Sequence, residues 1–426
     1  MFTAFSTALS ALQGDGTAID IIGNNLANLN TTGYKSTDAQ FSDLMAETMG
    51  WTSNPTQVGL GVGQVGSLTQ YTQGTIQTTN GPTDAAIQGN GFFVVKNASN
   101  QTLYTRAGDF QVDANGNLVT ATGEKVQGWS AVNGTVNPNS AIGNITVPLG
   151  GTVAANPTST MSINANLDAT PFNATTPATF SAPVQVFDSL GNSHNLTVTF
   201  TQTATSAWGY TVTIPAADAS SGGTTTPLAT GSLTFDANGN ITNSGTPVPP
   251  STTPPPVVQA ISITGLTDGA APLNINWNLT DSSGNSAITQ VAQPSGVSAT
   301  TQNGYAAGQI SSVAFQNGGT IVASYTNGQQ ATVGQLALAT ITNPQSLLSV
   351  GNNELQATST TAQPAIGTAN SSGRGQIVAG SLESSTVDMA TQFTDLLTME
   401  RSYQAASRVI TTSDQLLQET VNLIHS

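Results

Sequence analysis

Apolar residues recur at seven-residue spacing at both ends of the chain, and no other feature constrains the fold as strongly. Near the C-terminus the repeat runs without a miss through Met389, Leu396, Tyr403, Ile410, Leu417 and Ile424. Near the N-terminus the matching positions hold Phe2, Phe5, Leu9, Leu12, Ile19 and Leu26. Such a repeat predicts an amphipathic helix whose apolar line of contact, here called the seam, packs against another helix. We therefore expect one helix at each end, over residues 1–33 and 385–426, with the two helices paired as a coiled coil.

Neighbouring apolar residues broaden both seams. On the C-terminal helix, Phe393 and Val421 are expected to fill part of the second seam position. On the N-terminal helix, Ala8, Ile22 and Leu29 are expected to widen the stripe on one side. The C-terminal pattern is longer than an ordinary globular helix, which again favours a coiled coil.

The middle of the chain carries strand and turn signals instead of a helical period. GFFVV at 91–95 predicts a buried strand, and NLTVTF at 195–200 alternates with period two. The pattern Asp-x-x-Gly-Asn occurs four times, at 113–117, 188–192, 236–240 and 281–285. Because Asp caps such a turn and Gly accepts a positive φ, each copy predicts a hairpin. The further acidic ligands of an EF-hand are missing, so hairpins are favoured over metal sites.

These signals predict a mainly β fold with terminal α-helices and two β domains, the outer domain being inserted in the inner one. We expect the inner β domain over 76–146 and 300–367. The outer insert, rich in Thr, Ser, Asn, Gly and Pro, is expected over 147–299. Extended connecting segments over 34–75 and 368–384 would join the inner domain to the terminal helices.

The charge pattern excludes several classes of partner. Only 7% of the residues are charged, the net charge is −15, and the seven Lys and Arg residues are scattered. Nucleic acids and anionic membranes both require clustered cations, so neither is an expected partner. The chain has no Cys, which excludes disulfides and thiolate metal sites. No stretch is apolar enough to span a membrane, and the N-terminus lacks the pattern of a cleaved secretory signal.

No catalytic, cofactor or metal site is predicted. Gly61 to Gly66 match G-x-G-x-x-G, but the flanking residues favour an extended strand whose bare glycine face admits another backbone. His194 lies in a predicted turn and His425 is the penultimate residue, so both are expected at the surface. Ser193 beside His194 cannot make a catalytic triad by adjacency alone, and no paired-carboxylate site is visible, so we predict that the chain is not an enzyme.

An Asn cluster, NNLANLN at 24–30, interrupts the end of the N-terminal apolar stripe. It predicts a helix C-terminus, with Gly33 in the left-handed position that follows the last turn. One Asn would suffice for that role. Amide side chains can also fix the register between helices without charge. We therefore expect Asn24, Asn25 and Asn28 to contact neighbouring copies or the chain's own C-terminal helix.

Several stretches resemble bacterial flagellar rod and hook proteins. They are NNLANLNTTGYK at 24–35, QGNGFFVV at 88–95, YTRAGDFQVDANGNLVTATGEKVQGW at 104–129, TQNGYAAGQI at 301–310, VGQLALATITNP at 333–344 and the C-terminal helix from Gly380 to Ile424. VQVFDSLGNSHNLTVTF at 184–200 resembles the outer domain of the hook members. A distal rod subunit would lack a large outer insert, so the resemblance implies a hook subunit.

The resemblance implies a structural subunit that polymerises into a curved, flexible, extracellular tube joining rod to filament and transmitting torque. Expected partners are further copies of the chain, the distal rod, hook cap and hook–filament junction proteins, and the flagellar type III export apparatus, with no cofactor. The seam residues and the Asn cluster would then form the assembly interface. Two alternatives remain open here: a distal rod subunit, and a β-rich extracellular adhesin.

Overall fold

The computed structural model describes residues 2–44, 47–49, 56–132, 134–218, 227–243, 258–281 and 284–425. Its contacts divide the chain into two compact units. The terminal unit comprises Met1–Leu149, Ser312–Ser324 and Gln330–Ser426. The inserted unit comprises Gly150–Ser311 and Tyr325–Gln329.

One long helix lies at each end of the chain, as the seven-residue repeats predict. Helix α1 covers Phe2–Ala27 and helix α2 covers Met389–His425, with lengths of 26 and 37 residues. The two helices pack against each other. Helix α2 begins after Asp388, whose carboxylate accepts a 2.7 Å hydrogen bond from the Thr391 amide and so caps the helix. Among the described residues, neither helix is long and apolar enough to cross a membrane.

Helix α1 ends six residues earlier than predicted. The Asn28 amide is shared between the Asn24 and Asn25 carbonyls, which marks the last turn of the helix. The residues from Asn28 to Gly33 then form turns. Gly33 has the predicted left-handed φ of +68°, but it lies in a later turn and does not cap α1. A Cβ at Gly33 would lie 2.7 Å from the Arg106 carbonyl carbon, so this close approach requires glycine.

Apart from one 3-10 turn, the remaining regular structure of the described residues is β. Before the insert, the terminal unit contains β1 (Thr37–Gln40), β2 (Glu47–Met49), β3 (Thr56–Val58), β4 (Gly66–Thr69), β5 (Ile76–Thr78), β6 (Ala85–Gln88), β7 (Phe92–Lys96), β8 (Thr102–Thr105), β9 (Gln111–Val112), β10 (Leu118–Val119), β11 (Lys125–Ser130) and β12 (Gly143–Asn144). The inserted unit contains β13 (Thr152–Val153), β14 (Thr160–Asp168), β15 (Thr179–Phe187), β16 (Ser193–Ala204), β17 (Ala207–Thr213), β18 (Ala229–Phe235), β19 (Ile241–Asn243), β20 (Val258–Ile263), β21 (Leu273–Asn278), β22 (Ile288–Val291) and β23 (Gly296–Gln302). The chain continues with β24 (Gly308–Gln316), β25 (Thr320–Tyr325), β26 (Gln330–Leu336), β27 (Leu338–Thr340), a 3-10 turn (Pro344–Ser346), β28 (Leu348–Gly351), β29 (Glu354–Gln356), β30 (Ala365–Gly367), β31 (Gln376–Ala379) and β32 (Ser381–Glu383).

In the terminal unit, strands that precede the insert pair with strands that follow it. Strand β6 pairs with β31 and β5 pairs with β32, both antiparallel. Strand β7 lies between β8 and β11 and is buried from Phe92 to Val95, which confirms the strand predicted from GFFVV. These pairings hold the segments that lead to α1 and α2 beside each other.

The inserted unit contains two five-stranded sheets that share one core. One sheet has the order β15-β16-β17-β18-β19, and the other has β20-β21-β14-β22 with β23 also paired to β14. Leu196, Val198 and Phe200 of β16 are fully buried, which confirms the predicted alternation. Trp208 and Trp277 fill the centre of this core.

The inserted unit begins and ends later than the outer domain predicted over 147–299. At its start, the Val147 amide still bonds the Gly116 carbonyl of the terminal unit. At its end, β23 runs to Gln302 and pairs with β14. Asn303 Oδ1 then accepts hydrogen bonds from the Ser159 and Thr160 amides.

The three Asp-x-x-Gly-Asn copies that are fully described form the predicted turns, and in the fourth the Asp281 amide bonds the Asn285 carbonyl. In the copies at 113–117, 188–192 and 236–240, the Asp Oδ1 accepts two backbone amides. The glycines have φ values of +82°, +92°, +79° and +83°. The strand predicted around Gly61 is wrong, because β3 ends at Val58 and Gly61 has a φ of +101°. The close backbone approach is nevertheless present: a Cβ there would lie 3.1 Å from Thr7 Cα of α1.

Candidate functional site at the terminal helices

The two chain ends meet where the last turn of α1 packs against the first turn of α2. Asn25, only 1% exposed, donates from Nδ2 to Gln392 Oε1 at 2.9 Å and to the Thr37 carbonyl at 2.8 Å. Its Oδ1 accepts from the Thr37 amide at 3.0 Å and the Tyr34 hydroxyl at 3.2 Å. Both donors and both acceptor positions of the amide are therefore used. A single side chain links α1, the following segment and α2.

The other two Asn residues of the cluster serve the turn. Asn28 Nδ2 donates to the Asn24 carbonyl and to Asn24 Oδ1, and its Oδ1 accepts from the Thr31 hydroxyl. Asn24 is exposed. Within one chain, Asn25 alone of the three reaches the C-terminal helix.

Burial along α2 follows a heptad pattern. The described side chains of α2 that are not exposed are Gln392, Leu396, Met399, Ala406, Ser407, Ile410, Ser413, Leu417 and Thr420. The predicted seam residues Leu396, Ile410 and Leu417 belong to this set, whereas Met389 and Tyr403 are exposed. The predicted second seam position is wrong for the single chain, because Phe393 and Val421 are 50% and 53% exposed. The second seam position is instead occupied by the more polar series Gln392, Met399, Ala406, Ser413 and Thr420. Hydrophobicity therefore gave no signal for this position.

On α1, the most buried face lies beside the predicted seam. Ala8, Ala18 and Ile22 are buried with Asp15 and Asn25. The predicted seam residues Phe5, Leu12, Ile19 and Leu26 are half-buried, and Leu9 is 39% exposed. The side chains of Phe2 and Ile424 lie outside the described residues. Small buried residues allow close packing of α1, but they contribute little to an apolar repeat. The sequence pattern therefore pointed to the larger apolar residues of the predicted seam, which lie beside the buried face.

Large apolar side chains remain exposed along α2. They are Met389, Phe393, Leu397, Tyr403, Val409, Leu416 and Val421, each at least 39% exposed. We call this set the exposed α2 row. Several of its members neighbour a half-buried seam residue directly in sequence, as Leu397 follows Leu396 and Leu416 precedes Leu417. Because α2 is longer than α1, part of it also has no α1 counterpart.

A buried cluster of three charges, missed by the sequence analysis, anchors the bases of both helices. Glu383 is fully buried, and its Oε1 lies 2.6 Å from Lys35 Nζ and 2.7 Å from the Gly74 amide nitrogen. Its Oε2 lies 3.1 Å from Arg106 Nη1. Lys35 also donates to the Thr72 carbonyl and Arg106 to the Gly89 carbonyl. Burial lowers the pKa of Lys35, and the Glu383 carboxylate partly opposes that shift.

A signal for this charge cluster did exist in the sequence. Lys35, Arg106 and Glu383 each fall in a different stretch that resembles flagellar proteins, in a chain with few charged residues. Charged side chains are rarely fully buried unless paired. Their presence in three separate stretches could have suggested a common buried site.

Four family models match different parts of the chain. The model "Flagella basal body rod protein" matches residues 5–35, and "Flagellar basal body rod FlgEFG protein C-terminal" matches 378–423. The model "Flagellar hook protein FlgE/F/G D1 domain" matches 86–166, and "Flagellar basal body protein FlaE D2 domain" matches 156–305. "Flagellar hook protein FlgE" of Escherichia coli is 33% identical over 431 residues, covering 99% of this chain and 100% of that protein.

The chain belongs to the flagellar hook protein family. The protein of the same name from Treponema pallidum is also 33% identical, over 466 residues that cover 99% of this chain and all of that protein. A Helicobacter pylori flagellar hook protein FlgE2 crystal structure matches with a TM-score of 0.49 and 14% identity, covering 71% of this chain and 98% of that one. As a member of the hook family, the chain is a structural subunit, and the matches do not favour a rod subunit or an adhesin. Lys35 and Glu383 fall within the two terminal family models, and Arg106 falls within the D1 model.

Proposed function

We propose that the chain polymerises through its terminal helices into the tube of the flagellar hook, which bends while it transmits torque from rod to filament. In this proposal the terminal helices line the inside of the tube, and the inserted unit forms its outer domain. The observation that carries the proposal is the exposed α2 row. Isolated soluble proteins seldom leave so many large apolar side chains of one helix in water, and neighbouring subunits would cover them.

The proposal also explains why α2 has apolar residues on more than one side. Leu396, Ile410 and Leu417 are half-buried within the single chain, and the exposed α2 row would face adjacent copies. Contacts that join different surfaces on successive copies do not close, and they generate open helical polymers. The predicted residues Phe2, Phe5, Leu9, Leu12 and Ile19 of α1 would belong to the same assembly interface.

The inserted unit is suited to the outer side of a bending tube. It carries no Lys or Arg, so few strong ion pairs could form between outer domains of neighbouring copies. Polar surfaces that carry no Lys or Arg can slide without breaking charge pairs. We further propose the distal rod, the hook cap, the hook–filament junction proteins and the type III export apparatus as partners, with secretion that needs no cleaved signal, and we propose no enzymatic activity.

The test is electron microscopy of the purified chain at high concentration. We expect tubes with helical order for the wild type. Leu416→Asp, which places a charge in the exposed α2 row, should leave a folded monomer that does not polymerise, since an unpaired charge in the interface costs several kcal/mol per copy.

Leu417→Asp is the matched variant, with the same residue type one position along the helix. It should loosen the pairing of α1 and α2 within the monomer, which circular dichroism and protease resistance of the helices would report. Normal tubes from Leu416→Asp would contradict an assembly interface on the exposed α2 row. Failure of the wild type to form tubes under any tested concentration would contradict the proposal as a whole.

A further inference from the structure

The inserted unit has an unusual set of ionisable side chains. It contains no Lys, Arg or Glu, and its single His is His194. Its acidic residues are six aspartates: Asp168, Asp188, Asp218, Asp236, Asp268 and Asp281. Any cluster of carboxylates in this unit therefore has only one basic side chain of the same unit to balance it.

Three of these six aspartates surround His194. Nε2 lies 3.1 Å from Asp188 Oδ2 and 3.5 Å from Asp268 Oδ2, and Nδ1 lies 3.3 Å from Asp218 Oδ2. His194 was expected at the surface, but its side chain is only 6% exposed and that of Asp188 is fully buried. The sequence placed His194 in a turn without showing that loops distant in sequence fold over it.

The three carboxylates around His194 need a nearby positive charge, which either a protonated imidazole or a bound cation would supply. A neutral imidazole leaves three carboxylates with no neighbouring positive charge of this unit, and a buried unpaired carboxylate is costly. The orientation of the ring bears on this choice. Nδ1 is buried, and Asp218 Oδ2 lies 3.3 Å from it. With its proton on Nδ1 toward Asp218, the ring would direct the Nε2 lone pair at the oxygens of Asp188 and Asp268.

The distances fit a metal ion between these three groups. Typical Zn–N and Zn–O bonds are about 2.0–2.2 Å, so a tetrahedral angle would separate the two ligand atoms by roughly 3.4 Å. The observed Nε2 to oxygen distances of 3.1 and 3.5 Å lie on either side of that value. The three ligand atoms all lie within 4.8 Å of one another.

Asp218 completes the pattern from the other side of the ring. Histidines that bind a metal usually donate their second ring N–H to a carboxylate or carbonyl, which fixes the tautomer. Asp188 is also held in place: its Oδ1 accepts the Leu190 and Asn192 amides of the turn, which leaves Oδ2 to face His194. Asn192 Nδ2 donates to Asp268 Oδ2 at 3.1 Å and so joins the two carboxylates.

We propose that Asp188, His194 and Asp268 bind a divalent transition metal ion of the Zn²⁺ class, with Asp218 orienting the imidazole. An imidazole with carboxylates suits Zn²⁺ and its neighbours, whereas Ca²⁺ and Mg²⁺ prefer oxygen ligands alone. Asp188 and His194 flank the β15–β16 turn, and Asp268 lies in the loop between β20 and β21 of the other sheet. The ion would tie the two sheets of the inserted unit together at one end.

The test uses the full-length monomer after removal of metal with a chelator. Co²⁺ titration should produce the visible absorption bands of a low-symmetry site, saturating at one ion per chain. ZnCl₂ should raise the unfolding temperature of the inserted unit by about 3 °C or more at saturating concentration. His194→Gln and Asp268→Asn should each abolish the Co²⁺ bands and the Zn²⁺ shift.

Asp236→Asn is the matched control, because Asp236 caps the same type of turn but does not face His194. It should retain both metal responses. Asp268 is partly exposed, so its variant is expected to fold even if His194→Gln does not. No Co²⁺ bands and no Zn²⁺ shift in the wild type would overturn the proposal, and protonation of His194 would then be the balancing charge. Metal responses that persist in both ligand variants would also overturn it, since the ion would be bound elsewhere.

Discussion

Asn25 Nδ2 lies 2.9 Å from Gln392 Oε1, which joins two residues separated by 367 positions in the sequence. The bond is buried, and every other polar atom of the Asn25 amide also has a partner. The Asn cluster is therefore more than a helix end. One of its members fixes how the two termini of the chain meet.

Replacing Asn25 by Ala should weaken the pairing of the terminal helices. Intrinsic helix propensity would rise by about 0.5 kcal/mol. The loss of four hydrogen bonds, which leaves buried groups of Thr37 and Gln392 unpaired, should outweigh that gain and cost about 2–3 kcal/mol. Asn28→Ala is the matched control within the same cluster, and it should change stability by less than about 1 kcal/mol. Urea unfolding of the monomer, followed by the helical circular dichroism signal, would measure both. Equal effects from the two variants would contradict the assigned role of Asn25.

The sequence predicted those parts of the fold that depend on local patterns. The end helices, the buried strand from Phe92 and the Asp-x-x-Gly-Asn turns all follow from spacing and from backbone preferences. Helix ends were less predictable, because the end of α1 depends on contacts of Asn25 with Thr37 and of Asn28 with Thr31, beyond the helix.

The packing face of each helix could be read only in part from hydrophobicity. In α2, Gln392 is buried beside Asn25 while its apolar neighbour Phe393 is exposed. An apolar repeat shows which residues avoid water, but it does not show which partner covers them. The groups around His194 and Glu383 escaped prediction for a related reason: their members lie in segments far apart in sequence, and the tertiary fold alone brings them together.

The buried charge cluster should respond asymmetrically to substitution. Glu383 is the single anion between Lys35 and Arg106. Glu383→Gln would leave two buried cations without a counterion, and it should cost about 3–5 kcal/mol. Lys35→Met would leave Glu383 paired with Arg106, so the cost should be smaller, about 1–3 kcal/mol. Thermal unfolding of the two purified variants would rank them. A larger loss for Lys35→Met would show that the Lys35 contacts matter more than the charge balance.

Stability should depend on pH through Glu354. Burial and the neighbouring Glu124 carboxyl raise the pKa of Glu354 from 4.5 to about 7. The folded state therefore keeps a proton that the unfolded state releases, and the free energy of unfolding should decrease as the pH rises from about 4.5 to about 7. Glu354→Gln should remove this decrease and stabilise the monomer at pH 8 by about 1 kcal/mol, after a discount for solvent screening. Unfolding of both proteins at several pH values would test this; parallel pH profiles would contradict the assignment to Glu354.

Removal of the inserted unit should leave a chain that still assembles. Thr152 pairs with Gln309 in antiparallel strands, so the chain enters and leaves the unit at neighbouring positions. A short Gly-Ser linker can therefore replace Gly150–Ser311 without stretching the remaining chain.

We expect the terminal unit to keep its helical signal and to form tubes, because α1, α2 and the buried charge cluster are all retained. The tubes should be straighter than those of the full chain if outer contacts set the curvature. Electron microscopy would measure both assembly and curvature, with Leu416→Asp in the same shortened chain as the non-assembling control. A shortened chain that folds but forms no tubes would place essential assembly contacts in the inserted unit.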